Sequence, residues 1–309
     1  MATALITHPA CLEHDTGPDH PECPDRLRAV LRALEAEEFQ PLVRQPAPEA
    51  TEEQLARVHP LEYIREILAI RPPEGRLVQL DADTMMSAGS AAAALRAAGG
   101  AVMAVDAVME GWARHAFAAV RPPGHHCERA RPMGFCLFAT AAVAARHAQA
   151  RWGLARVAVL DFDVHHGNGT QHIFEHDPTL FYGSSHQFPC YPGTGDAEET
   201  GVGNVVNVPL APGSGPAAFR AAWTGRILPA LEAWKPELII VSAGFDAHKA
   251  DPLAQLRVET EDFAWLTAEI LGVAHRHGGG RLVSLLEGGY DLDALAACAA
   301  AHVRVLMQG

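Results

Sequence analysis

The sequence predicts an α/β fold, with a doubly wound, mostly parallel sheet and helices on both faces. From residue 116 onward, short apolar segments alternate with longer helical segments, the order that parallel strands joined by crossover helices require. The segment at 238–242 is apolar at almost every position, as strands covered on both faces are. We find no internal repeat, low-complexity stretch or linker, so we expect residues 1–309 to form a single domain.

The first third of the chain is predicted to hold one strand and four helices. Residues 4–7 form a short strand, and residues 25–38 carry leucine and valine at helical spacing. Thr51 is a suitable N-cap for the next helix. Two prolines end the helix predicted at 61–70. Residues 87–110 are rich in alanine, so this long helix can pack closely on the sheet.

The remaining elements alternate along the chain. Strands are predicted at 116–120, 156–160, 179–182, 205–208, 238–242 and 282–286. Helices are predicted at 135–152, in a short segment ending at 175, and at 217–234, 261–277 and 292–307. In such sheets the functional side chains gather at the carboxyl ends of the strands.

Composition limits the classes of function. The chain has 24 basic and 37 acidic residues and a formal charge of −13, which argues against a nucleic-acid partner and weakly favours cationic substrates. Its six cysteines show no C-x-x-C pair, as in a reduced cytosolic protein. We see no signal peptide and no uninterrupted apolar run long enough to span a membrane, so we expect a cytoplasmic protein with no membrane partner.

Carboxylates and histidines follow two of the predicted strands. Asp161, Asp163 and His165 follow the strand at 156–160 at a spacing of two, so their side chains point the same way if the strand continues. Asp246 follows the strand at 238–242 and would join Asp163 and His165 as a third ligand. Carboxylates with imidazole suit a metal of the zinc or iron type, and three protein ligands leave a position open for water.

Tandem histidines follow the strand at 116–120. His125 and His126 on a Pro-Gly loop are candidates for an acid–base pair, with Asp161 and Asn168 available to fix their tautomers. Tyr290, after two glycines, could donate its hydroxyl to a developing oxyanion. We interpret four further histidines as structural residues of buried loops, namely His166, His172, His176 and His186.

These motifs together resemble the histone deacetylase family, which includes bacterial deacetylase-like amidohydrolases and acetylpolyamine amidohydrolases. The motifs R-P-P-G-H-H, G-F-C, D-F-D-V-H-H-G-N-G-T, P-G-T-G, A-G-F-D-A-H and E-G-G-Y stand in the family's order, and the resemblance runs from about His20 to Tyr290. It implies the arginase/deacetylase fold. In having Asn168 at this position the chain resembles the class II branch of the family, whereas class I members carry Asp there.

The resemblance also implies roles for individual residues. Zinc, with iron or cobalt as alternatives, would be held by Asp163, His165 and Asp246. His126 would be the proton shuttle, His125 its electrostatic partner oriented by Asp161, and Tyr290 the group that polarises the carbonyl. The walls of an acyl-lysine tunnel would be Gly134, Phe135 and Tyr191, where the family usually has Phe at the last position.

Two structural potassium or sodium sites are implied as well. The first would use Asp161, Asp163, His165 and Ser184. The second would use Phe174, Asp177, Leu180 and Asn204, mostly through backbone carbonyls.

The expected function is zinc-dependent hydrolysis that removes acetyl or another short acyl group from the amine of acyl-lysine. An acetylpolyamine amidohydrolase is the alternative enzyme, but family members that prefer polyamines resemble one another in carrying an acidic gatekeeper where this chain has Leu253. An arginase-like ureohydrolase would need more carboxylates than we can place. A non-catalytic module that binds acyl-lysine is the alternative of another class. The sequence does not indicate the oligomeric state.

Overall fold

The computed structural model describes residues 2–309, and eight of its strands form one parallel sheet. The strands are β1 (Thr3–Thr7), β2 (Val43–Pro46), β3 (Val78–Gln79), β4 (Met85–Met86), β5 (His115–Ala118), β6 (Val157–Asp161), β7 (Leu180–Gln187), β8 (Val205–Leu210), β9 (Leu238–Ala243) and β10 (Leu282–Leu286). The sheet order is β2-β1-β5-β10-β9-β6-β7-β8, and every neighbouring pair is parallel. β3 and β4 form a separate antiparallel pair.

Helices cover the sheet on both faces, as predicted. They are α1 (Pro24–Ala33), α2 (Glu52–Ala56), α3 (Leu61–Ala69), α4 (Ser90–Glu110), α5 (Thr140–Trp152), α6 (Asn168–Phe174), α7 (Pro216–Ala222), α8 (Leu228–Trp234), α9 (Thr260–His277) and α10 (Leu292–Gln308). On one face, Ser284 Oγ of β10 lies 2.8 Å from Nε2 of His302 in α10. On the other, Ile6 of β1 packs against Gly100 of α4. Because both faces are covered, the central strands are buried at every position.

The small residues of α4 let it approach its neighbours closely. A Cβ added at Gly99 would lie 2.0 Å from the carbonyl oxygen of Pro48, and one at Gly100 would lie 3.2 Å from Val120 Cγ1. This helix is long and apolar enough to cross a membrane by length and composition, but 67% of its apolar window is buried inside the protein. Such a helix is common in the cores of globular proteins, and here it packs on β1, β5 and β10.

The structure differs from the predicted elements at several ends. The helix predicted at 25–38 ends at Ala33, and the one predicted from 135 begins at Thr140, because Gly134 and Phe135 both have positive φ angles. β7 runs five residues further than predicted because its polar end is buried in the sheet. The sequence analysis missed β2, β3 and β4, which are short and mostly polar or exposed. A π-helical turn joins α7 to α8 within the predicted helix at 217–234.

Candidate functional site

Asp163, His165 and Asp246 meet in one buried cluster. His165 Nδ1 lies 3.1 Å from Asp163 Oδ1 and 3.2 Å from Asp246 Oδ2, and the three candidate ligand atoms lie within 4.8 Å of one another. β6 ends at Asp161, so Asp163 and His165 lie in the turn that follows and not on one strand face. That turn aims them at Asp246, which follows the neighbouring strand β9.

The surroundings of this cluster fit a bound cation. The backbone N–H of Val164 donates to Asp246 at 2.8 Å, and that of Gly288 donates to Asp163 at 2.9 Å. Burial lowers the pKa of His165, but its hydrogen bonds to Asp163 and Asp246 outweigh burial and hold the pKa well above its usual value. Positive charge is therefore favoured between these carboxylates. Two carboxylates and one imidazole are a donor set for zinc or a similar divalent metal.

The tandem histidines lie beside this cluster with different partners. Nδ1 of His125 lies 3.1 Å from Oδ2 of Asp161, and Nδ1 of His126 lies 2.9 Å from Oδ1 of Asn168. The Asn168 amide nitrogen donates to Glu128 at 3.0 Å, which turns its oxygen toward His126. His126 therefore carries its proton on Nδ1, and its Nε2 keeps a free lone pair.

The two imidazoles favour opposite protonation states. Burial lowers the pKa of His125, but the charges of Asp163 and Asp161 outweigh burial and raise the pKa to about 10. Burial, together with the charges of His125 and His165, holds the pKa of His126 well below its usual value. The ring centroids of His125 and His126 are 3.9 Å apart. The pair therefore provides one protonated imidazole, His125, and one neutral base, His126.

Tyr290 follows β10 and lies at the same edge of the sheet. Its backbone N–H donates to Asp251 at 2.7 Å, and the guanidinium carbon of Arg26 lies 4.8 Å from its ring centroid. Burial raises the pKa of Tyr290 well above its usual value although the charge of Arg26 opposes this, and Asp246 adds to the rise. The hydroxyl therefore stays protonated and available as a donor.

Aromatic rings flank the approach to these groups. The ring of Tyr191 stands perpendicular to His126 with centroids 5.0 Å apart, and the ring of Phe135 lies 6.0 Å from that of Tyr290. A Cβ added at Gly134 would lie 2.4 Å from Cδ2 of His126, so only glycine fits there. The resemblance implies these three residues as tunnel walls, and each lies beside His126 or Tyr290.

Leu253 lies on the loop that holds Tyr290. Asp251 accepts hydrogen bonds from the backbone N–H groups of both Leu253, at 2.9 Å, and Tyr290, at 2.7 Å. The Leu253 side chain is 37% exposed. Leu253 is therefore linked to Tyr290 through the carboxylate of Asp251.

The sequence analysis missed a buried ionic cluster beside the site. Glu22, Arg26 and Arg121 are fully buried, and Glu22 pairs with both arginines. Arg26 also donates to the carbonyl oxygens of Glu287 and Gly289, which fixes the chain before Tyr290. The i, i+4 spacing of Glu22 and Arg26 was a usable signal for this pair. No local pattern links either residue to Arg121.

Glu287 has a role that its sequence motif did not reveal. Its Oε2 accepts the backbone N–H groups of Gly124, at 2.7 Å, and His125, at 3.2 Å, and its Oε1 accepts the hydroxyl of Ser242 at 3.0 Å. Burial raises the pKa of Glu287 to about 7. The side chain holds the histidine loop against the ends of β9 and β10.

The residues of the first predicted monovalent-cation site come from two adjacent strands and from the turn after β6, which holds Asp163 and His165. Asp161 of β6 and Ser184 of β7 are paired in the sheet. Ser184 Oγ lies 2.9 Å from Nδ1 of His186, and both side chains are buried.

The residues of the second predicted cation site also converge, but with a side-chain nitrogen at the centre. Nδ2 of Asn204 donates to the carbonyl oxygens of Phe174, Asp177 and Leu180.

Two of the four histidines interpreted as structural residues of buried loops are exposed. His166 and His186 are buried and hydrogen-bonded as expected. The interpretation is wrong for His172 and His176, which are exposed, the first on α6 and the second two residues after its end.

Comparison with known proteins agrees with this geometry. The family model for the histone deacetylase domain matches residues 20–306 of the sequence. The chain is 39% identical to the histone deacetylase-like amidohydrolase of Pseudomonas aeruginosa, over 98% of this chain and 86% of that protein. It is 38% identical to the human polyamine deacetylase HDAC10, over 99% of this chain and 48% of that protein.

The fold is also that of a solved histone deacetylase domain. The crystal structure of the HDA15 HD domain superimposes with a TM-score of 0.94 at 36% identity, covering 99% of this chain and 88% of that one. The fold class predicted from the sequence is thus confirmed, and the chain belongs to the histone deacetylase family and is a hydrolytic deacetylase.

Proposed function

We propose that this deacetylase is zinc-dependent and removes acetyl or another short acyl group from acyl-lysine, with iron or cobalt as alternative metals. The observation that carries the proposal is the buried cluster of Asp163, His165 and Asp246 beside a charged and a neutral histidine. When bound there, the metal would polarise the acyl carbonyl and acidify a water. A non-catalytic module that binds acyl-lysine would have no need of a neutral base next to a protonated partner.

The side chains of this protein account for the proton transfers. Nε2 of His126 accepts a proton from the attacking water because its Nδ1 is committed to Asn168. The protonated His125 adds positive charge next to the developing oxyanion, and the Tyr290 hydroxyl donates a hydrogen bond to it. His126 then returns its proton to the leaving amine. Phe135 and Tyr191 flank the acyl chain and keep bulk water from it.

The surroundings of Leu253 favour acyl-lysine over acetylpolyamines. An apolar, partly exposed side chain at the rim gains nothing from a second ammonium group. A carboxylate there would contribute about 0.5–1 kcal/mol to binding a distal cation, which is a factor of about 2–5 in kcat/KM. Similarity to the human polyamine deacetylase keeps acetylpolyamine hydrolysis as the alternative.

The experiment compares acetyl-lysine peptide with acetylspermidine on wild type, Leu253→Glu and the uncharged control Leu253→Gln, at one ionic strength. We expect wild type to have the higher kcat/KM on acetyl-lysine. Leu253→Glu, but not Leu253→Gln, should gain activity on acetylspermidine. Wild-type enzyme that favours acetylspermidine tenfold would overturn the substrate assignment.

We further propose that a potassium or sodium ion is held near Asp161, Asp163, His165 and Ser184, and that the protein acts in the cytoplasm without a nucleic-acid or membrane partner. The in-register pairing of Asp161 with Ser184 supports the cation site. The formal charge of −13 and the unpaired cysteines support the expected location and partners.

A further inference from the structure

The loop between α6 and β7 turns three backbone carbonyl oxygens toward one point. They belong to Phe174 at the end of α6, Asp177 in the loop and Leu180 at the start of β7. The Asn204 amide nitrogen lies 2.8, 3.0 and 2.7 Å from these three oxygens. Carbonyl oxygens that converge in this way can replace the hydration shell of a potassium ion. The position is therefore suited to a cation, yet a neutral amide fills it.

The orientation of this amide is fixed by its other contacts. Asn204 Oδ1 accepts the backbone N–H of Val202 at 3.1 Å, so the nitrogen and not the oxygen faces the carbonyls. The Asn204 side chain is 2% exposed. Its own backbone carbonyl accepts the N–H of Tyr182 at 3.0 Å, within the pairing of β7 with β8. Asn204 thus contacts the three carbonyl oxygens through its side-chain nitrogen, while its backbone carbonyl is hydrogen-bonded within the sheet.

An amide nitrogen and a cation cannot occupy the same point. The two N–H bonds of Asn204 carry the positive end of the amide dipole into the cluster. The carbonyls of Phe174 and Asp177 each accept one backbone N–H as well, from Asp177 and Leu180, and the amide faces their remaining lone pairs. We infer that the Asn204 side chain replaces the second monovalent cation in this protein, so that the α6–β7 loop folds without a bound ion. The inference concerns this loop alone and does not depend on the substrate or on the divalent metal.

The inference predicts which variants acquire a dependence on potassium. Removing the amide in Asn204→Ala takes away the donor shared by these three carbonyl oxygens and leaves a space that a cation can enter. Asn204→Asp sets a carboxylate against the same carbonyls, an arrangement that only a cation makes favourable. Both variants should therefore be destabilised in choline chloride and recover part of the loss in potassium chloride.

The matched control is Asn207→Ala. Asn207 is a buried asparagine of β8, three residues after Asn204 and 3% exposed, whose amide nitrogen donates to Gln171 and Glu199 and not to these carbonyls. Its removal should lower stability without adding a potassium dependence. Any response of wild type to potassium reports the first proposed cation site and is subtracted.

Thermal unfolding of the four proteins, in choline and in potassium chloride at equal ionic strength, gives the first test. We expect potassium chloride to raise the midpoint temperature of unfolding, relative to choline chloride, by several degrees more in Asn204→Ala and Asn204→Asp than in wild type and Asn207→Ala. An equal gain in all four proteins would overturn the inference. So would an equal gain in Asn207→Ala and Asn204→Ala, because the effect would then follow from lost stability in general.

Crystals soaked in thallium(I), an anomalous scatterer that substitutes for potassium, give the direct test. In wild type we expect no thallium peak among the carbonyl oxygens of Phe174, Asp177 and Leu180, and in Asn204→Ala we expect one. A wild-type peak at that point, with the Asn204 side chain turned away, would show that the protein binds a second cation and would overturn the inference.

Discussion

Replacing Asn168 by aspartate tests whether His126 must be neutral to take the first proton, because burial and the charges of His125 and His165 hold its pKa low. Asn168 Oδ1 lies 2.9 Å from Nδ1 of His126, and both side chains are buried. An ionised carboxylate this close favours the imidazolium form, and an opposite charge within about 4–6 Å shifts a pKa by about 1–3 units. The pKa of His126 should rise by that amount in the variant. Because neutral His126 takes the first proton, activity should be lost at low pH, and the acidic limb of kcat/KM should move upward by about 1–3 pH units.

The Asn168→Asp experiment must also allow for Glu128, whose Oε1 lies 3.0 Å from the Asn168 amide nitrogen. An aspartate at 168 would bring two carboxylates together and mix repulsion with the intended effect. We therefore compare Glu128→Gln with the double variant Glu128→Gln/Asn168→Asp, in which the glutamine supplies a donor. The assay is kcat/KM on a fluorogenic acetyl-lysine peptide from pH 5 to 10. Superimposable profiles from these two variants, both folded by circular dichroism, would refute the reasoning.

The remaining predictions concern the other reacting groups. Tyr290→Phe should lower kcat about 10²–10³-fold with a smaller effect on KM, because only the oxyanion donor is removed; near wild-type turnover would make Tyr290 a packing residue. His126→Ala should be nearly inactive at every pH, since no other group makes both proton transfers, whereas His125→Ala should keep more activity in the same pH series. A more damaging effect of His125→Ala would contradict this division of labour.

The central sheet was predictable because its strands are long apolar runs. The runs that became β9 and β10 are buried at every position, so hydrophobicity alone located them within a residue or two. β7 was cut short in the prediction because Gly183 to Gln187 are polar or small, and only tertiary contacts such as that of Ser184 with His186 make a strand of them. β2 was not predicted because it lies at the sheet edge and alternates half-buried with exposed residues, so it has no apolar run.

The candidate site was predictable where its residues stand in compact motifs. Asp163 and His165 are two residues apart, and the strand order of a parallel sheet brings Asp246 to the same edge. The spacing of two predicts convergence on a continued strand, whereas in the structure the turn after β6 aims the two side chains at Asp246.

Long-range partners were beyond sequence reasoning. Arg121 and Glu22 are separated by 99 positions, and their buried pairing depends on how the N-terminal loop crosses the sheet edge. Asn204 illustrates a subtler limit. The resemblance groups it with Phe174, Asp177 and Leu180 as a cation site, but nothing in the sequence indicates that its side-chain amide, and not its carbonyl, faces them.

Metal content, measured alongside activity, tests our claim that Asp163, His165 and Asp246 hold one catalytic divalent metal. Wild type, Asp246→Ala and the control Asp251→Asn are purified together and analysed by inductively coupled plasma mass spectrometry. Asp251 is a buried carboxylate of the same loop that bonds Leu253 and Tyr290 and lies outside the three-residue cluster. We predict that Asp246→Ala stays folded but loses both metal and activity, while wild type and Asp251→Asn retain the metal. Full metal occupancy in Asp246→Ala would contradict the claim.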